Sequence, residues 1–587
     1  MATTGLSAPP TRDRPEPAVE RRLLPRPSGR SIGVAAILLG LLAAGIVAVG
    51  ALGISGPRII SSLDKIGKFL ARSVPLDFSD PGLLAELTLK TLAVVISGTL
   101  FATVLSIPLA YLAARNTSPH PGLRWLARGI IVLARSIPEV ILLIILVTLM
   151  ALGALPAVVA IGLHSVGMIG KLFADAIEQI DEGPRTAIRA AGGGRMQEFV
   201  SGVLPQVLPS WVATVLHRND INLRASAILG VVGMPGLGYE LYTAILRLDY
   251  PRALAAAVIL FLLCVAMEII ATLLRSMILG RPAGGRSLGD RISRRAVAAP
   301  RRSGGAGLPS AARLPGAAGL SGGAATRLTA PWNARRVQIN VIGWLALAVL
   351  VWALWYAQIN WRDVIDVWAR IPERVSALFP LSFGDTPAPK MLGLVWETVY
   401  IALAGTLIAV LFSVPIGSFA ARNVALNGAV HKSFRLVLLL VRGIPELLLA
   451  IILILATGFG PIAGAFALGL GGIGLLGKLL ADSLEEVNPG PETALKATGA
   501  RRGQIYASAT FPQATPAFVG HIFYMLDSNV RAATVLGVVG GGGVGFVMFE
   551  SASRSQYNVV FTIALMILAI VLVIEGVSMW LRKALAG

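Results

Sequence analysis

The sequence predicts an all-α polytopic membrane protein, a six-span domain duplicated in parallel, with about 12 transmembrane helices in all. Three observations predict it: a shortage of charge, long uncharged apolar runs, and an internal repeat in a single register. Of 587 residues, 55% are hydrophobic and 14% charged, whereas soluble chains carry about 25% charged residues. The mean hydropathy is +0.74.

The runs come first. Residues 31–54, 92–114, 140–170, 337–361, 398–421, 447–477 and 555–574 hold no charged side chain. A spanning helix needs about 20 residues, so 140–170 and 447–477 are too long for one. Gly153 and Pro156, and Gly458, Gly460 and Pro461, sit near their middles, which reads as two helices and a tight turn. The expected spans of the first half are 32–54, 88–112, 130–152, 154–174, 206–233 and 252–279.

The repeat fixes the architecture. Ala-Ala-Arg-Asn occurs at 113–116 and again at 420–423, a displacement of 307 residues. The same displacement superposes Arg135-Ser-Ile-Pro-Glu139 on Arg442-Gly-Ile-Pro-Glu446, and Pro205-Gln206 on Pro512-Gln513. It also superposes Asp220, Asn222, Arg224 on Asp527, Asn529, Arg531, and Glu268 on Glu575. Apolar composition produces chance Leu and Ala matches, but not matched Arg, Glu, Asp and Asn in one register. The expected organisation is a basic tail at 1–30, a first transmembrane domain at 31–280, a basic Gly- and Pro-rich linker at 281–336 and a second domain at 337–587.

The formal net charge is +20. Its arginines gather in the tail and the linker, which marks both as cytoplasmic by the positive-inside rule. With an even number of spans per half, the N- and C-termini are expected on the cytoplasmic side of the cytoplasmic membrane. The run at 31–54 is too long for a signal-peptide core and reads as a retained first helix. No aromatic residue interrupts 281–327, so nucleic-acid binding is not expected; the expected medium is membrane lipid. The lone Cys264 can form no internal disulfide and suggests no metal site.

Charges within spans mark function by default, because each costs about 2.5–3.5 kcal/mol at mid-bilayer on insertion scales. Asp220 and Arg224 are four apart and can pair on one helix, as can Asp527 and Arg531. By the repeat symmetry the two arginines would face each other across a path. Arginine suits phosphate-like oxyanions, so an anionic substrate is one reading and a self-neutralising structural ion pair the other. The Gly-rich stretches after them, Gly230 to Gly238 and Gly537 to Gly545, predict a bent or broken helix whose freed backbone lines the path. Arg135 with Glu139, and Arg442 with Glu446, read as further i,i+4 pairs, either path elements or anchors of a helix start. Glu268 and Glu575 read as structural interface charges.

The stretches 175–209 and 482–516 are polar segments between spans. Ala187, Ala190 and Gly192 are followed thirteen residues later by Pro205, and Ala494, Ala497 and Gly499 by Pro512. Here the sequence resembles the membrane subunits of binding-protein-dependent ATP-binding-cassette importers, whose motif is Glu-Ala-Ala, three residues, Gly, nine residues, Ile, one residue, Leu-Pro. Thr186 and Thr493 stand at the Glu position, and Gly202 and Ala509 at the Ile position. The resemblance implies the type I importer transmembrane fold and a coupling helix in each copy that docks on an ATPase.

Arg-x-Ile-Pro-Glu, Asn-x-Arg-Ala and Leu-Gly-Val-Val-Gly together look like the phosphonate permease family over 85–280 and 392–587, with methionine permeases next in pattern. That family implies a cytoplasmic ATPase pair, an extracytoplasmic solute-binding protein, and phosphonate, phosphate or phosphite as substrate. Its members are usually separate chains that pair, and here the two are fused. Gly472 to Leu479 nearly fits a phosphate-binding loop, but Leu479 stands where Ser or Thr must hold magnesium. ATP and magnesium therefore belong to the partner, and no cofactor is expected on this chain. The rivals are an importer of methionine or another amino acid and an ion-driven secondary transporter. A membrane-embedded enzyme is disfavoured, because no metal cluster or repeated nucleophile–base pair is found; His164, His217 and His521 have no His at their repeat positions.

Overall fold

The computed structural model describes residues 29–150, 152–279, 334–360, 371–373 and 375–586. The expected tail and linker lie almost wholly outside these. Among the described residues the regular elements are helices. The first copy runs α1 (Gly29–Ala51), α2 (Gly56–Arg72), α3 (Pro81–Ala113), α4 (Pro121–Ser136), α5 (Glu139–Met150), α6 (Ala154–Glu178), α7 (Glu182–Ala190), α8 (Leu204–Leu229), α9 (Leu237–Leu246) and α10 (Tyr250–Leu279). The second runs α11 (Ala334–Tyr356), α12 (Ala388–Ala420), α13 (Gly428–Gly443), α14 (Glu446–Thr457), α15 (Pro461–Glu485), α16 (Pro489–Ala497), α17 (Phe511–Val538), α18 (Gly545–Ser553) and α19 (Tyr557–Ala586). Both ends of α3 to α7 recur at α12 to α16 with the displacement of 307 residues read from the sequence.

Local chemistry sets these bounds. His120 and Asn427 accept hydrogen bonds from the first amides of α4 and α13, satisfying donors that a helix start leaves open. The expected span 130–152 is not one helix. Ile137 and Ile444 are extended, with ψ of 124° and 121°, because a residue before proline is driven out of the helical region. Pro138 and Pro445 then start new helices, and the axes bend by 93° and 77°. Between α5 and α6, residues 152–153 form a bend inside 140–170, where the turn is expected.

Among the described residues, eight helices are long and apolar enough to cross a membrane, or up to ten if each bent pair crosses as one span. Of the twelve expected spans, α11, whose apolar stretch is Asn340–Tyr356, and α17 fall outside that set. α6 and α15 are the most buried of the spans and form the centre of each copy. Large apolar side chains such as Leu39 on α1 and Trp344 and Trp355 on α11 are exposed, as lipid-facing residues are.

The copies are interlocked. α1 packs on α12 of the second copy, and α11 packs on α3 of the first. α2 reaches α14, α19 contacts α4 and α5, and α10 contacts α13. One apolar core therefore runs through both copies, from Ala48 and Ile161 to Leu468 and Ile567.

Candidate functional site

The broken helices carry their charged ends into the seam between the copies. Arg135 ends α4 and Glu139 opens α5, so the bend separates them and the expected i,i+4 pair does not form. Arg135 instead binds Glu575 on α19 at 2.6 Å. Arg442 likewise leaves Glu446 and binds Glu268 on α10 at 3.4 Å. Each bridge joins one copy to the other, which is the interface role expected of Glu268 and Glu575.

Next to these bridges lie the pairs on α8 and α17. Arg224 pairs with Asp220, and Arg531 with Asp527 at 2.7 Å. The structural ion pair is therefore formed in both copies. Arg224 also donates to the Arg442 carbonyl at 3.0 Å, and Asp220 takes Arg442 at 3.4 Å as a second partner. Asn222 and Asn529 are buried and donate to Thr99 and Thr406, both at 2.9 Å. Of the ten residues expected on the path, Asp220, Arg224 and Arg442 are joined by direct contacts, and the other seven are buried or half-buried.

Three residues in this seam have no counterpart in the other copy, and of these only His164 stands out in the sequence, as a histidine unmatched at its repeat position. Arg218, on α8, donates to Ser165 Oγ at 2.9 Å, and Ser165 donates to Asn222 at 3.1 Å. His164 binds the Ile137 carbonyl at 3.0 Å. At the displaced positions stand Met525, Gly472 and Gly471. A comparison of the repeats position by position, rather than a search for matches, exposes Arg218 and Ser165 as well.

The glycine-rich exits break the helix as expected, but their freed amides do not line a path. After α8 a short turn at 230–232 leads into α9, which folds back on it. A Cβ on Gly545 would lie 1.9 Å from the Thr534 carbonyl oxygen, and one on Gly230 2.1 Å from the Gly238 backbone. Backbone meets backbone there, and only glycine fits. The amides of Leu237 and Val544 bind Thr91 and Thr398 at 2.9 and 3.0 Å. The loop-like motif at 472–479 lies inside α15, where its glycines let Met525, Arg442 and Leu438 approach.

The expected coupling segments form α7 and α16. Asp181 and Asn488 cap them, each accepting from the amide two residues on. Gly192 and Gly499 follow their ends with φ of +81°, a left-handed conformation that costs other residues about 1–2 kcal/mol. Ala187, Ala190, Gly192 and Pro205 are exposed, and so are Ala494, Ala497, Gly499 and Pro512. The two helices are pinned differently. Buried Arg185 binds Glu198, which also takes Arg189 at 2.7 Å. In the second copy Glu492 occupies the Arg185 position and accepts from Thr510 at 2.7 Å and Asn423 at 3.1 Å. Asn116 and Asn423 each bind the end of the preceding span, through the Ile177 and Leu484 carbonyls at 2.7 Å. This gives the Ala-Ala-Arg-Asn repeat a structural task.

Among the described residues no three His, Cys, Asp or Glu side chains are placed to hold a metal. Comparison with known proteins matches residues 106–279 and 413–587 to the family described as binding-protein-dependent transport system inner membrane component. The chain is 36% identical over 540 residues, 92% of its length and 93% of the relative's, to the phosphate-import permease protein PhnE of Mycolicibacterium smegmatis. It is 38% identical to the phosphite transport system permease protein PtxC of Stutzerimonas stutzeri, over 44% of this chain and 95% of that one. A probable D-methionine permease of Haemophilus influenzae is 30% identical over 26% of the chain and 75% of its own. The ion-driven transporter and the enzyme are thereby set aside: this chain is a transport permease and belongs to the inner-membrane components of binding-protein-dependent transport systems, with two such domains fused in one polypeptide.

Proposed function

We propose that this chain imports a phosphorus oxyanion (phosphate, phosphonate or phosphite) through the seam between its two copies. A cytoplasmic ATPase pair carries the ATP and magnesium and docks on α7 and α16. An extracytoplasmic binding protein delivers the anion, and both chain termini lie in the cytoplasm. The observation that carries this reading is the chemistry of the seam, which holds arginines of both copies against carboxylates. Asp220, Asp527, Glu575 and Glu268 pair with Arg224, Arg531, Arg135 and Arg442, and an oxyanion can take their place with the same two-pronged geometry. The names of the PhnE and PtxC relatives point to the same class of substrate.

Uptake of radiolabelled phosphate into vesicles holding the full complex tests this directly. Arg224→Ala with Arg531→Ala is expected to abolish uptake while the chain still co-purifies with its ATPase. Undiminished uptake in that double variant would remove both arginines from the path. A response of the wild type to methionine and to no phosphorus oxyanion would keep the importer and change its cargo.

A further inference from the structure

We propose that the anion is held asymmetrically, on a subsite built by Arg218 of the first copy that the second copy lacks. This rests on the oxyanion reading above and deepens it.

The geometry is a relay with an open end. Thr99, Asn222, Ser165 and Arg218 are linked in sequence by hydrogen bonds of 2.9, 3.1 and 2.9 Å. Arg218 is 5% exposed. Its Nε is taken by Ser165, and its Nη1 has only the Met168 sulfur at 3.5 Å. Its Nη2 is buried without a hydrogen-bond partner. The carboxylate it faces is Glu139 Oε2 at 4.0 Å, beyond hydrogen-bond range. This carboxylate lies at the N-terminal end of α5, where a negative charge is favoured.

Stability does not account for Arg218. A buried guanidinium with an unmet donor is costly. The second copy shows the apolar solution at the same place: Met525 fills the position and packs against Gly472, where a Cβ would come within 2.5 Å of its methyl. The paired change from Gly and Met to Ser and Arg is what one side of a two-fold path needs to bind a ligand that lacks two-fold symmetry. A tetrahedral oxyanion with one distinct substituent is such a ligand. The Glu139 carboxylate stands where the anion would bind, and the anion would take its place against Arg218 as Glu139 turns aside.

The test converts the first copy to the second with Ser165→Gly and Arg218→Met, in vesicles holding the complete transporter. The probe is radiolabelled phosphate, read as KM and maximal rate with the binding protein saturating. The subsite predicts a KM raised by about tenfold or more, the effect of losing a charge-assisted hydrogen bond, with co-purification of the ATPase retained. An unchanged KM overturns the proposal. Should the double variant fail to assemble, Arg218→Lys keeps the charge but loses the fork; it is expected to raise KM several-fold, and wild-type KM in it overturns the proposal equally. Absence of phosphate, phosphonate and phosphite uptake by the unaltered complex would refute the substrate reading itself, and is seen before any variant is compared.

Discussion

The two copies share a skeleton and differ in their buried chemistry. Helices α3 to α7 and α12 to α16 begin and end at equivalent residues. The bridges Arg135–Glu575 and Arg442–Glu268 are related by the same symmetry. Yet Arg218 and Ser165 face Met525 and Gly472, and Arg185 with Glu198 is replaced by Glu492 with Thr510. Backbone geometry has been held constant while interior side chains changed in compensating pairs.

The largest expected effect tests what the copies share. Gly192→Asp and Gly499→Asp each place a side chain at φ +81° on an exposed helix end. A Cβ at either meets no atom within 4 Å, so the fold should survive while uptake is lost and ATP hydrolysis is uncoupled from transport. Uptake at the wild-type rate in either variant would show that the two segments are not equivalent couplers.

The interface bridges give the next contrast. Glu575→Ala strips Arg135 of its carboxylate, and breaking such a buried pair costs about 3–5 kcal/mol. Glu268→Ala leaves Arg442 with Asp220 at 3.4 Å, so its cost is expected nearer about 1 kcal/mol. Thermal unfolding in detergent should rank Glu575→Ala well below Glu268→Ala, and equal midpoints would contradict the two-partner arrangement at Arg442.

A smaller difference is expected at the glycine contacts. Gly545→Ala would drive a Cβ to 1.9 Å from a backbone oxygen, against 2.6 Å for Gly238→Ala. Overpacking costs about 1–3 kcal/mol, and Gly545→Ala should lie at the upper end. The smallest separates the asparagines. Asn222→Ala breaks bonds to Thr99 and Ser165, whereas Asn529→Ala breaks the one to Thr406. The difference of one hydrogen bond is about 1 kcal/mol, measurable as a shift in unfolding midpoint.

Much of this was legible in the chain, and the limits have physical causes. The repeat was readable because charged residues recur in register, and the segments of α7 and α16 because Gly192 and Gly499, with Pro205 and Pro512 thirteen residues on, match the spacing of a family motif. The bends at Pro138 and Pro445 were half legible: proline signals a kink, but spacing alone paired Arg135 with Glu139. A bend of 93° moves one of them toward the other copy, and no one-dimensional spacing carries that information. The interlocking of α1 with α12 was invisible for the same reason, since apolar lipid-facing helices have no charge pattern to show which copy they cover. Arg218 was overlooked because a search for matching positions passes over those that differ.

On the proposed function, this fused permease moves phosphorus oxyanions under the control of an ATPase. The most direct measurement is ATP hydrolysis by the complete complex in vesicles, with the binding protein presented in turn with phosphate, phosphite, a phosphonate and methionine. Stimulation by at least one phosphorus oxyanion and none by methionine is the predicted result. Stimulation by methionine alone would contradict it.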